Sequence, residues 1–200
     1  MLLHQEELKR MTNLLKFCDQ MKVYFRSQNN TIAEELYAHL EFKVGIMTEM
    51  TSFYMLHDEM EGHPSIQRYH GEESSLNDMK IYEVQNLLLT HFISIIESSL
   101  RKFLLANGVT NKMIILHQIL EYLYKHKYIN EEELHLWSGI RQIRNAVTHY
   151  EHHSHVSDTY HFSQELEITL KNAKAIESHD LFSDLKLMEW MAYSVKNILT

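Results

Sequence analysis

Apolar residues recur along the chain at spacings of three and four, and this pattern predicts five or six helices with no internal repeat or low-complexity tract. The first runs from about Gln5 to Phe25, with Leu8, Met11, Leu15, Cys18 and Met21 or Lys22 near one face. It stops before Ser27-Gln28-Asn29-Asn30, and Asn30 or Thr31 can cap the next helix. The second, about Ile32 to Glu61, carries Leu36, Leu40, Val44 and Met47 on one stripe and ends at Gly62 ahead of Pro64. Gly62 to Ser75 is read as the one long loop, a solvated connector in preference to a substrate-facing lid.

The third helix, about Leu76 to Ala106, is apolar nearly all round between Leu87 and Ile96, so it is expected at the centre, and Asn107-Gly108 ends it. The fourth spans about Asn111 to Lys127, and its closing Lys125, His126 and Lys127 suit the negative end of the helix dipole. The fifth opens on a capping box, Asn130 with Glu133 three residues on, and buries Leu136, Ile140, Ile143 and Val147. Beyond a His-rich junction, Ser163 to Ile176 and Asp180 to Leu199 are read as two closing helices. The expected fold is all-α, a bundle of about five to seven helices. It divides into an N-terminal hairpin (1–61), a core (76–150) and closing helices (151–200), together one compact domain.

Composition sharpens this. One Pro and five Gly leave few breakers, and Cys18 as the sole cysteine excludes an intramolecular disulfide and a four-thiolate metal site, which suits a reducing cytoplasm. The segment Met1 to Arg10 is charged where a signal peptide would be apolar, and no run approaches a membrane span, so no membrane association is expected. The net charge of −8 argues against indiscriminate nucleic-acid binding. Between Leu100 and Tyr150, however, seven basic residues face four glutamates, so this part carries +3 and the rest −11.

The chemistry concentrates at the end of the fifth helix, in Arg144-Asn145-Ala146-Val147-Thr148-His149. Arg presents a fixed fork of donors matched to a phosphate. His, with an ordinary pKa near ~6.5, can take and return a proton at neutral pH. Asn145 is four residues before His149 and shares its helix face, so it can orient the imidazole. Arg141 lies on that face too and is a candidate for an added phosphate contact.

An Arg followed by a small polar residue, with a His four to six positions after the Arg at a helix end, resembles the signature of the HEPN family. With six Arg and 15 His the loose motif is expected about once by chance, but requiring Asn after the Arg at one fixed spacing lowers that to about 0.02. The resemblance also calls for an upstream buried helix bearing a Glu with a basic residue four later, and Glu97 and Arg101 occupy those places in the third helix. It covers about Asp78 to Tyr150 and implies a metal-independent endoribonuclease of toxin or abortive-infection defence type. Arg144, His149 and Asn145 would be catalytic, Arg141, Arg101 and Tyr150 would hold RNA, and Glu97–Arg101 would be a structural ion pair. No metal or cofactor is implied; the implied partners are RNA, a second copy of the chain and an antitoxin or regulatory protein.

One departure is that toxins of the family with a nucleotidyltransferase partner carry Tyr two residues after the His, where this chain has Glu151 and places Tyr150 adjacent to His149. Five helical residues also turn through about 140°, so Arg144 and His149 converge only if the helix loosens near Thr148 or two copies meet. Competing readings make Arg144 a surface ion pair, His149 a cationic helix cap, and the motif part of a non-catalytic binding module. The run His149, His152, His153, His155 and His161 suggests a transition-metal site, but it lacks Cys partners and a His-Glu-x-x-His pair.

Overall fold

The computed structural model describes residues 2–61, 73–109, 115–148, 157–164, 166–170 and 183–200. Among them the chain forms six helices and one pair of strands: α1 (Leu2–Ser27), α2 (Thr31–Glu61), α3 (Glu73–Ala106), α4 (Leu116–Lys125), α5 (Glu131–Thr148), β1 (Asp158–Ser163), β2 (Leu166–Leu170) and α6 (Ser183–Leu199). Residues 73–75, expected in the loop, already belong to α3, and the rest of that loop lies outside the described residues.

Local sequence decides most boundaries. Asn30 Oδ1 accepts from the Ala33 amide at 3.1 Å and starts α2. At α5 the capping box is reciprocal: the Glu133 amide donates to Asn130 Oδ1 at 2.8 Å, and the Asn130 amide donates to Glu133 Oε2 at 2.9 Å. Three helices close in one way, on a residue with positive φ: Asn29 (56°), Gly108 (81°) and Lys127 (64°). In each case the next amide reaches back five residues, Asn30 to Phe25, Val109 to Leu104 and Tyr128 to Leu123.

The α1–α2 hairpin buries Met11, Leu14, Cys18 and Phe25 against Leu36, Tyr37, Leu40 and Val44. Helix α3 packs against α2, α4, α5 and α6, which makes it the hub. It is not enclosed all round, since Leu87 and Leu105 are exposed. Helix α6 ties the layers together: Ala192 O accepts from the buried Tyr37 hydroxyl at 2.7 Å, Ser194 Oγ from Trp137 Nε1 at 3.0 Å, and Leu199 O from Asn30 Nδ2 at 3.3 Å.

The all-α expectation needs correction in the C-terminal third. The helix expected over Ser163 to Ile176 is, as far as it is described, an antiparallel hairpin with Tyr160 opposite Ile168 and Asp158 opposite Leu170. Tyr160, Phe162, Leu166, Ile168 and Leu170 are buried while Thr159, His161, Glu167 and Thr169 face outward, a period of two that only a strand can satisfy. On the outer face Thr159 and Thr169 hydroxyls meet at 3.0 Å and His161 Nδ1 lies 2.9 Å from Glu167 Oε2.

Three buried protons make the fold sensitive to alkali. Burial pushes the Cys18 thiol up to about 12 and raises the Tyr37 phenol, and burial with the neighbouring Asp158 carboxylate pushes Tyr160 up to about 12. The unfolded chain surrenders these protons from about pH 9 upward while the folded chain keeps them, so folding stability falls as pH rises from about 9 to 12. The urea midpoint is expected to decline across that window, and Tyr37→Phe to flatten the decline. A midpoint that stays level to pH 11 would contradict this account.

Candidate functional site

Glu97 and Arg101 of α3 and Arg144 of α5 meet where the two helices cross. Glu97 on α3 accepts Arg101 Nη2 at 3.1 Å on one carboxylate oxygen and Arg144 Nη1 at 3.0 Å on the other. The first contact is the expected pairing one turn along the helix; the second joins residues 47 apart in sequence. Glu97 is only 15% exposed and Arg144 24%, so the carboxylate needs a cationic partner, and it is bonded to two.

What holds Arg144 there is the packing of α5. Leu136, Trp137, Ile140 and Ile143 are buried, and the indole N–H bonded to Ser194 fixes the helix against α6. On another side Tyr160 of β1 lies over Gly139, where a Cβ would stand 2.5 Å from the ring. The same ring is 4.8 Å from that of His135, whose Nδ1 is 3.8 Å from Asp158 Oδ2. Phe162 continues the contact to Trp190. The buried stripe of Leu136, Ile140 and Ile143 is the one the sequence predicts; the seating against Tyr160 and Phe162 was not expected, and the alternation Tyr160, Phe162, then Leu166, Ile168, Leu170 was the signal that could have found it.

Arg141 is partly buried one turn before Arg144, about 60° away around the helix. Its Nε is inaccessible and has no hydrogen-bond partner among the described residues. Asn145 is partly buried beside Arg144. His149 and Tyr150, expected as base and RNA contact, lie outside the described residues, as do His152, His153 and His155. His161 is paired on the hairpin surface. Among the described residues no group of three or more His, Cys, Asp or Glu could hold a metal ion, and no helix is long and apolar enough to cross a membrane.

No family model, curated protein or solved structure matches the chain. The arrangement therefore speaks through its chemistry. Arg144 donates to Glu97, Arg141 adds a second guanidinium on the same helix, and His149 follows Thr148 in the sequence. Such a set can hold a phosphate and move a proton beside it.

Proposed function

We propose that the chain is a metal-independent endoribonuclease of HEPN type, acting on single-stranded or looped RNA as a toxin or defence effector restrained by a partner protein. The observation that supports it most is the sharing of Glu97 between Arg101 and Arg144, which orients a guanidinium five residues before His149 in the sequence. In the proposed reaction His149 removes the proton of the ribose 2′-hydroxyl, and the 2′-oxygen bonds to the adjacent phosphorus. The bond to the 5′-oxygen breaks, and that oxygen takes up a proton returned by the imidazolium, directly or through water, so the products are a 2′,3′-cyclic phosphate and a free 5′-hydroxyl, and His149 is neutral again. Arg144 and Arg141 offset the charge that builds on the phosphate oxygens, and Asn145 orients the imidazole. Unpaired RNA is the substrate class because its 2′-hydroxyls are accessible.

A second reading, a non-catalytic helical binding module, draws on the same ion pair, because a guanidinium bonded to Glu97 already has a structural role. One experiment separates the two. Purified protein incubated with mixed RNA in excess chelator is expected to yield fragments with cyclic-phosphate ends, and His149→Ala protein none. Cleavage that requires a divalent ion, or that survives in the variant, overturns the proposal; no cleavage at all favours the binding module.

A further inference from the structure

At the opposite end of α5, in the turn from α4, the sequence Tyr122-Leu123-Tyr124-Lys125-His126-Lys127-Tyr128 alternates aromatic with basic residues. Leu123 is buried and anchors the segment, whereas Tyr124 and Tyr128 are 42% and 41% exposed and offer their ring faces to solvent. Both line an open cleft of about 660 Å³ together with Lys125, Lys127, Glu131 and Glu133. Tyr128 is braced from behind by the Phe103 ring, met edge-on at 6.0 Å. The positive φ of Lys127 turns the chain there, and the Tyr128 amide is bonded back to Leu123 O at 2.9 Å. At least one of the two rings is thus a fixed platform, which loses little entropy when a flat ligand stacks on it.

The charges in the cleft are not equivalent. Glu133 is committed to the Asn130 amide, whereas Lys125 and Lys127 form no ion pair among the described residues. A ligand with a π-face and an anionic backbone satisfies both the tyrosines and the lysines, provided its phosphates pair with Lys125 and Lys127 and avoid the carboxylates of Glu131 and Glu133. We propose that this cleft binds single-stranded nucleic acid, stacking bases on Tyr124 and Tyr128 and pairing backbone phosphates with Lys125 and Lys127. That the natural ligand is RNA rests on the ribonuclease reading; the binding itself does not.

The cleft opens at Glu131 and the arginine site stands at Arg144, thirteen helical residues away, so the two are separated by about 20 Å along α5. The cleft is therefore a second anchoring point for a strand that also reaches Arg144. Oligonucleotides long enough to span α5 gain affinity from it, whereas a dinucleotide occupies one site or the other.

The test uses a fluorescein-labelled 2′-O-methyl pyrimidine oligonucleotide, which lacks the attacking hydroxyl, and reads anisotropy on the full chain. Tyr124→Leu and Tyr128→Leu are each expected to weaken binding about tenfold, as for the loss of one stacked base, and Tyr124→Phe to retain wild-type affinity because the ring remains. Lys125→Gln with Lys127→Gln is expected to reduce the salt dependence by about two phosphate contacts. Affinity unchanged by both leucine variants, a phenylalanine variant as weak as leucine, or wild type that binds no oligonucleotide overturns the proposal. Normal binding with no RNA cleavage leaves the cleft standing and removes the ribonuclease reading.

Discussion

Gly139→Leu is expected to unseat the β1–β2 hairpin from α5 and cost about 3 kcal/mol or more, a fall in Tm of roughly 6–12 °C for a chain of this size. A Cβ at position 139 would already lie 2.5 Å from Cδ1 and 2.7 Å from Cγ of Tyr160. The ring cannot step aside, because it is nearly inaccessible and is held by His135 and Phe162. Gly139→Ala decides between two opposed effects. Replacing a mid-helix glycine gains about 1 kcal/mol in helix propensity, while forcing a methyl into a filled space costs about 1–3 kcal/mol. Alanine should therefore be neutral to destabilising in the wild-type chain and stabilising by about 1 kcal/mol in a Tyr160→Ala background. Thermal melts of the four proteins complete the cycle. Equal stabilisation in both backgrounds would mean that the ring does not press on α5.

Arg144→Ala is expected to reduce RNA cleavage at least a hundredfold while lowering stability by only about 1–2 kcal/mol. The asymmetry comes from Glu97: when Arg144 is removed the carboxylate still has Arg101, so no unpaired charge is stranded in the α3–α5 contact. Glu97→Gln should cost more stability, because both guanidiniums lose the carboxylate they share. Arg144→Lys should not restore cleavage, since a single ammonium cannot serve Glu97 and a phosphate through a planar fork. Chemical denaturation and a chelator-resistant cleavage assay on the three variants test this together. Cleavage that persists in Arg144→Ala, or a loss of folding in that variant as large as in Glu97→Gln, would leave Arg144 with a structural role alone.

The parts of the fold legible in the sequence are those decided within a few residues. Asn130 and Glu133 announce the start of α5 because a capping box needs only that spacing, and Glu97 with Arg101 announces its ion pair because four residues are one helical turn. The contact from Glu97 to Arg144 was illegible: it depends on how α3 crosses α5, and nothing local encodes a crossing. The hairpin failed for a different reason. Leu166-Glu167-Ile168-Thr169-Leu170 is too short for its period to stand out against helical patterns all around it, although its alternation and its Ile and Thr favour a strand. The aromatic and basic turn at Tyr124 to Tyr128 was visible as composition, but its cleft appears only once the turn is built.

The position of α6 has a kinetic consequence. Its bonds to Tyr37 and Asn30 close sequence separations of 155 and 169 residues, and the bond to Trp137 one of 57. Contacts of this range pay a large chain-closure entropy before they return any stabilisation. The α1–α2 hairpin can form early from local contacts and α3 can pack on α2 next, but Tyr37 and Asn30 lack their α6 partners until that helix has been synthesised and has found them. A nascent chain therefore carries a sticky, half-finished core through most of its translation, the interval in which a chaperone or a dedicated binding partner has the most to gain by attaching.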